Sequence, residues 1–491
     1  MNMTRRSVLY GLAALPLAQG LNLSAAEAGE ASSRLALDPQ RPQFHLLPAA
    51  NWMNDPNGPV FWHGKYHIFY QYNPNGAFWG DMHWGHAISD DMVHWHHLPV
   101  ALAPTPGGPD KDGCFTGSIV VDQGVPTMLY TGVNPEVQCL AISHDPLLSQ
   151  WEKAARPVIA APPAGLNVTG FRDPCLWREG NIWYMGIGSG IKKRGGVVLL
   201  YRSRDLRTWE YLHPLATGTW NGKDTSDPVD SGEQWECPDF FPLGGKHVLL
   251  YSTERKVYWQ SGELDRKEMV FHSEKQGLLD DGAYYAPKSM LDRAGNRILW
   301  GWIPETRPLE EYKRAGWAGV MSLPRVLTLN ADGELEMRVD ARVQALRWRE
   351  SKARAAAGTV NDLVIGNYSG EVHCVTRQVT SPVRLSLISE AQVSGAFFSV
   401  SYHPGGGEAP LRIDGKPIAG KIGSGKLELR LYLDGSVLEL FINDRIACTR
   451  RIYMRGEKAT DVLVKFEGGS DQLQDLSVWQ MKPISHNRLT T

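Results

Sequence analysis

Three short stretches each set one carboxylate beside a proline and an aromatic ring: "WMNDPNG" with Asp55, "FRDPCLW" with Asp173 and "WECPDFF" with Glu236. In the first two the acid directly precedes the proline; in the third Cys237 stands between them. Proline fixes its own φ and biases the residue before it toward extended backbone, so each acid is expected to be held stiffly. A single Asp-Pro pair is an ordinary turn opener. Three such stretches in separate parts of one chain point instead to a site that needs carboxylates in fixed places. Two carboxylates facing one sugar suffice to break a glycosidic bond, one ionised and nucleophilic, the other protonated toward the leaving oxygen. The amides of Asn54 and Asn57 favour an ionised Asp55, which suits the nucleophile. Trp235, Phe240 and Phe241 give Glu236 an apolar setting that favours the neutral acid. Arg172 is expected to keep Asp173 ionised, able to hold hydroxyls and to steady positive charge developing on a sugar ring.

Such acids need a scaffold that returns its loops to one place. "HAISDDMVHWHHL" (86–98), "LAISHDPLLSQWEKA" (140–154) and "LLYRSRDLRTWEYL" (199–212) share a short apolar strand, a Ser and Asp turn and a Trp. Trp95, Trp151 and Trp209 recur at nearly even spacing, with apolar runs such as "PTMLYTGV", "IWYMGIGSG" and "HVLLYSTE" in step with them. A fourth unit runs through 257–265, and "ILWGWIPE" (298–305) supplies another inner strand. A repeat of several strands per period predicts a β-propeller over 43–335, with five blades. The stretch 336–358, rich in Arg, Ala and Glu, reads as a partly helical linker. Alternating runs from 359 to 483 predict a β-sandwich, with "DG" at 434–435 marking a hairpin. The fold class is therefore all-β.

Composition narrows the function. The 491 residues carry 51 Lys+Arg against 53 Asp+Glu, a balance that argues against a nucleic-acid surface. With 17 Trp, 17 Tyr, 50 Gly and 31 Pro, the chain favours short strands, many turns and aromatic faces. Residues 1–28 read as an export signal, twin-arginine-like at "TRRSVL", which predicts a periplasmic or extracellular protein. No later run is long and apolar enough to span a membrane. Six cysteines include no C-x-x-C pair, and Cys374 and Cys448 could form a disulfide. His94, His96 and His97 suggest a metal, but they flank the repeated Trp95 and read as strand or turn surface. "GIGSGIKKRGG" (186–196) lacks the ending of a phosphate loop.

Taken together, "WMNDPNGP", "FRDP" and "ECPDFF" resemble glycoside hydrolase family 32, the invertase, inulinase and levanase group. "FYQYNP", "WGHAISDDMVHW", "GWAGVMSLPR" and "DGSVLELFIND" extend the resemblance over nearly the whole mature chain. It implies a five-bladed propeller followed by a sandwich. It also implies Asp55 as nucleophile, Asp173 as transition-state stabiliser and Glu236 as acid/base. The family's fructose-binding positions fall on Asn54, Gln71, Trp79, Phe115, Arg172 and Asp280, with Thr116 where serine is usual. No metal or cofactor is implied, and Cys237 is expected as a free thiol beside Glu236. "DDGAYYAPK" is similar to the plant invertase "DYGxFYASK" loop, yet Ala283 stands where sucrose-cleaving plant enzymes often carry a Lys paired with the first Asp. The expected activity is release of terminal β-D-fructofuranose from sucrose or short fructans. The alternatives are a levan or inulin exo-hydrolase, a fructosyltransferase, or a fructan-binding propeller without catalysis; the last predicts loss of a carboxylate, and all three are present.

Overall fold

The computed structural model describes residues 32–489 except 354, 357–358, 390–394, 408–409, 419–421, 423–424, 455–459 and 487–488. The export signal expected at 1–28 lies outside the described residues. The described chain is mostly β.

Five antiparallel sheets follow one another, each opening on a strand that lies against the opening strand of the next. The opening strands are Asn51–Trp62, Cys114–Asp122, Val168–Glu179, Glu236–Leu243 and Tyr285–Leu291. The fifth lies back against the first. Trp317–Ala318 then pairs in parallel with Asn51 and Trp52, returning the chain to where the first sheet began. The second strands, such as Lys65–Asn73 and Lys246–Thr253, are buried almost throughout. Their runs of aromatic and branched residues suit strands covered on both faces.

The repeated Ser and Asp turn is one structure used three times. Ser89, Ser143 and Ser203 each accept from the backbone N–H two residues on, at Asp91, Asp145 and Asp205. Those aspartates in turn accept from Val93, Leu147 and Arg207. The turns carry Met92, Leu148 and Leu206 in left-handed backbone with their side chains buried. Trp151 and Trp209 close two of them by donating to the carbonyls of Leu148 and Leu206. The repeat seen in the sequence is therefore an outer turn that caps a sheet edge. His94 belongs to the first of these turns, where its ring meets Asp91, while His97 bridges the Tyr70 hydroxyl and the Leu47 carbonyl.

The remaining chain forms two six-stranded sheets that share one apolar core, to which Val372, Leu431 and Val478 contribute from one sheet and Leu385, Val400 and Val464 from the other. Asp434 pairs with Val437 around Gly435 and Ser436, so the hairpin falls where "DG" placed it. Two expectations change. The stretch 336–358, expected as a partly helical linker, is mostly strand: Leu335–Val339 completes the fifth sheet, one short 3-10 helix spans Ala341–Leu346, and Arg347–Lys352 joins the sandwiching sheets beside Leu473–Met481. Exposed Arg and Glu on an edge strand imitate a helical pattern. Cys374 and Cys448 are both free. Two strands of the same sheet lie between theirs, roughly 14 Å of separation at the usual strand spacing, against about 7 Å at most for a disulfide.

The two halves meet through an apolar seam that includes Trp300, Trp317, Tyr432, Val437 and Phe441. A fully buried charge network runs across it. Arg325 donates to Asp280 at 2.9 Å and to Glu439 at 2.5 Å, over the ring of Tyr284. Asp434 accepts from the backbone of Gln43, Phe44 and His45, and the His45 ring spans Asp434 and Glu439 at 2.8 and 3.0 Å. Burial alone would lower the His45 pKa, but hydrogen bonds and charge from Asp434 and Glu439 prevail and raise it from 6.5 to about 9. A group whose pKa is raised on folding contributes stability below its unfolded value and loses it as pH rises through the folded value. The urea midpoint is therefore expected to fall as pH is raised from 6.5 to 9, and His45→Gln should flatten that slope. A midpoint that stays level in the native protein across this window would reject a charged His45.

Candidate active site

Each opening strand is broken by a β-bulge at an equivalent place, and the first and third carry a second shift, at Asn57/Val60 and Val168/Phe171. The pairing slips between Met53 and Pro56, between Cys114 and Gly117, between Arg172 and Cys175, between Glu236 and Asp239, and between Tyr285 and Lys288. A bulge inserts an extra residue, bends the strand and re-aims side chains. Inside these five bulges sit Asn54 and Asp55, Phe115 and Thr116, Asp173, Cys237 and Ala286, with Arg172, Glu236 and Tyr285 the paired residues that open the last three. Four of the five carry an X-Pro bond at 55–56, 173–174, 237–238 and 286–287. The residue before proline was expected to be extended. At Asp173, Cys237 and Ala286 it is left-handed instead, with φ of 65°, 48° and 50°. The kink of the bulge overrides the proline bias because each of these N–H groups finds an acceptor on the preceding sheet. Asp173 donates to Thr131, Cys237 to Asp173 and Ala286 to Ser252.

The three sequence-predicted acids come together. The buried Cys237 thiol lies 3.5 Å from Asp55 Oδ2 and 3.3 Å from Asp173 Oδ2, and its neighbour is Glu236. Burial, reinforced by Asp173, Asp55 and Glu236, holds the thiol pKa well above its ordinary value, so Cys237 stays protonated and donates. Asp55 accepts from Asn54 Nδ2 at 3.0 Å and from the Thr116 hydroxyl at 2.6 Å. Gln71 donates to Thr116 at 2.8 Å, and Trp52 Nε1 fixes the Asn54 carbonyl at 2.7 Å. Two relays thus load donors onto Asp55, Gln71 through Thr116 onto Oδ2 and Trp52 through Asn54 onto Oδ1. Thr116 supplies the hydroxyl through the oxygen a serine would also offer.

Arg172 sits between two glutamates. Its Nε and Nη2 donate to Glu236 Oε1 at 3.0 and 2.7 Å, and its Nη1 donates to Glu136 Oε1 at 2.8 Å. Tyr285 donates to the other oxygen of Glu236 at 2.7 Å. Burial and the facing Glu236 hold the Tyr285 phenol well above its ordinary pKa, so it remains a donor. Glu236 is therefore not in the apolar setting its neighbours suggested. Trp235 stacks on Tyr251 at 3.7 Å, over Gly196 and Gly218, where any Cβ would collide with the indole. Phe240 and Phe241 point into separate cores. These rings anchor the strand and leave the carboxylate to Arg172 and Tyr285.

Asp173 also differs from expectation. Burial pushes its carboxyl up to about 7; Arg172 and the Cys237 N–H oppose this, while Glu236 and Asp55 add to it. Arg172 fails to hold Asp173 fully ionised because its hydrogen bonds go to Glu236 and Glu136. Three carboxylates around one guanidinium cannot all ionise freely, so the site keeps a proton into the neutral range.

At the rim, Trp79 is 59% exposed and meets Phe115 edge-on at 6.0 Å. Phe115 borders an aromatic cluster with Trp52, Trp302 and Tyr312. Asp280 is not at this rim. It is 1% exposed and bound to Arg325, to the Thr449 N–H at 2.8 Å and to the Thr449 hydroxyl at 2.7 Å. The cation that holds it is Arg325, more than forty positions along the chain, so the absence of Lys at 283 leaves it fully paired. Ala283 packs against the apolar seam. Glu136 and Tyr285 were missed in the sequence. A fourth X-Pro step at 286–287 was a signal for Tyr285; nothing local marks Glu136, which reaches Arg172 from a loop of the second sheet. Among the described residues, no group of three or more His, Cys, Asp or Glu is arranged to hold a metal ion.

Sequence comparison places this arrangement among known proteins. The family model described as Glycosyl hydrolases family 32 N-terminal domain matches residues 45–338, and that described as Glycosyl hydrolases family 32 C terminal matches 379–480. A sucrose-6-phosphate hydrolase of Escherichia coli is 34% identical, covering 90% of this chain and 94% of its own length. Among solved structures, fructan 1-exohydrolase IIa from Cichorium intybus matches with a TM-score of 0.75 and 27% identity, over 91% of this chain and 98% of that one. A mutant of a family 32 β-fructofuranosidase from Bombyx mori, in complex with sucrose, matches with a TM-score of 0.74 and 30% identity, over 93% of this chain and 97% of that one. The chain belongs to glycosyl hydrolase family 32 and is a glycoside hydrolase.

Proposed function

We propose that this protein is a β-fructofuranosidase that releases terminal β-D-fructofuranose from sucrose and short fructans with retention of configuration. The observation that carries this reading is the meeting of Asp55 and Asp173 at the Cys237 thiol, with Glu236 on the adjoining residue. In this reading the five sheets close as a five-bladed propeller around those residues, with the two six-stranded sheets as an appended sandwich. The ring of contacts between opening strands supports the closure.

Asp55 attacks the anomeric carbon of the fructosyl unit, and the bond from that carbon to the glycosidic oxygen breaks. Glu236 gives its proton to the departing oxygen, then takes one from the water that cleaves the fructosyl-enzyme bond. Asn54 and Thr116 donate to the two oxygens of Asp55 and hold its carboxyl group in place for the attack. Asp173 and Arg172 bind sugar hydroxyls and steady the oxocarbenium-like transition state. Trp79 and Phe115 offer apolar faces to the sugar ring. Gln71 acts through Thr116.

A preference for fructan over sucrose is the second reading. The seating of Asp280 inside the buried network favours it, because Asp280 is then not free to grip a glucose unit. Product analysis on sucrose, raffinose, inulin and levan separates the two. We also propose export, on the "TRRSVL" segment and the apolar run after it. N-terminal sequencing of protein recovered outside the cytoplasm should begin near residue 29; full-length chain confined to the cytoplasm would reject it.

Glu236→Gln removes the donated proton and keeps the shape. The expected result is a fall in kcat of roughly 10²–10⁴-fold on sucrose and on inulin, and near-normal turnover would sink the assignment. Retention is read directly by proton NMR of the first fructose released, which should be the β anomer. An initial α signal would replace Asp55 as nucleophile with an activated water.

A further inference from the structure

The pairing of Arg172 with Glu236 poses a problem for the function proposed above, on which this inference rests. A general acid must carry a proton, yet a guanidinium with two hydrogen bonds to one carboxylate oxygen favours the ionised form. Something must take part of that charge. Glu136 is placed to do so. It lies in the loop between Val125–Gly132 and Val137–Ile142, on the second sheet. Its Oε1 accepts from Arg172 Nη1 at 2.8 Å, and its Oε2 accepts from the backbone N–H of Phe171 at 2.5 Å. Both oxygens therefore grip consecutive residues of the "FRDP" stretch. The three side chains are each about one-fifth exposed, so screening weakens these charges without removing them.

We infer that Glu136 is a positioning residue that shares the charge of Arg172, drawing the guanidinium from Glu236 so that Glu236 can hold its proton. The groups facing Glu236 limit what else could do this. Arg172 and Asp173 approach from the third sheet, Asp55 from the first, and Tyr285 and Lys288 from the fifth, while Cys237 adjoins it. Asp55 and Asp173 are occupied elsewhere, by Thr116, Asn54 and Cys237. Tyr285 donates to Glu236, and Lys288 donates to the Pro238 carbonyl. Among these described groups, only Glu136 is an anion hydrogen-bonded to Arg172 on the side away from Glu236.

The test is the pH profile of kcat/KM on sucrose, which reports ionisations of the free enzyme. Glu136→Gln keeps an acceptor for the Phe171 N–H and removes the charge. Glu236 is then the one carboxylate hydrogen-bonded to Arg172 among the described residues, and the basic limb should move to lower pH by about 1 unit or more. Activity at neutral pH should fall more than activity on the acid side. Glu136→Asp, which retains the charge, should restore the limb at least in part. A limb that does not move, or a loss equal at every pH, overturns the inference. Thermal unfolding of both variants separates misfolding from these outcomes: a destabilised Glu136→Gln with an unshifted limb in its folded fraction also counts against it. Glu236→Gln distinguishes this inference from the function beneath it. If the basic limb survives in that variant, Glu236 is not the acid and the proposed function fails. If it disappears there while Glu136→Gln leaves it in place, only the role of Glu136 falls.

Discussion

Left-handed backbone at Asp173, Cys237 and Ala286 is the constraint on which the site depends. A non-glycine residue in that region costs about 1–3 kcal/mol and persists only where its surroundings over-determine it. Here each N–H is received by a side chain of the sheet before it, so Thr131, Asp173 and Ser252 hold the conformation of the next sheet. Asp173 is therefore both held and holding: its own N–H is fixed by the second sheet, and its carboxylate fixes the fourth. The adjoining residue of each bulge then turns toward the same space. Arg172, Glu236 and Tyr285 occupy that equivalent position in three sheets, which is why they form a continuous hydrogen-bonded series.

The electrostatics of the site follow from that geometry. Burial, with Glu236 and Asp55 close by, raises the cost of ionising Asp173, whose carboxyl is pushed up to about 7. Arg172 offsets part of it, but its reach is divided between Glu236 and Glu136. The contrast with the seam between the two halves is instructive. There Arg325 is also shared by two carboxylates, but both are fully buried and the whole set is closed off from solvent. The first arrangement leaves Arg172 and its two glutamates about one-fifth exposed, open to a ligand. The second fixes how the appended sheets dock.

The parts of the site that could be read in the sequence were those written locally. Asp55, Asp173 and Glu236 announced themselves through proline and aromatic neighbours, and the structure brings all three together. The outer turns were legible for the same reason, since Ser, Asp and Trp lie within a few residues. Contacts between distant segments left no such mark. Glu136 meets Arg172 across a sheet boundary, and the fate of Asp280 was decided by Arg325 and Thr449, from the fifth sheet and the appended half. The apolar neighbours of Glu236 misled because adjacent residues on a bulged strand face different ways. The misread segment at 336–358 shows the limit of composition: an exposed edge strand and a helix can carry the same charged residues.

The parallel pairing of Trp317 and Ala318 with Asn51 and Trp52 has a consequence for how the chain is made. The first strand emerges from the ribosome early, carrying Asp55, but its outer partner follows only after more than 260 further residues. Gln43 to His45 wait longer still, for Asp434. During synthesis, then, the leading segment has an unpaired edge and a buried histidine without its anions. Contacts this far apart in sequence are formed slowly, because loop closure must precede the reward. A nascent chain of this protein cannot finish its first sheet until Trp317 and Ala318 have emerged, and the seam that holds His45 waits for Asp434.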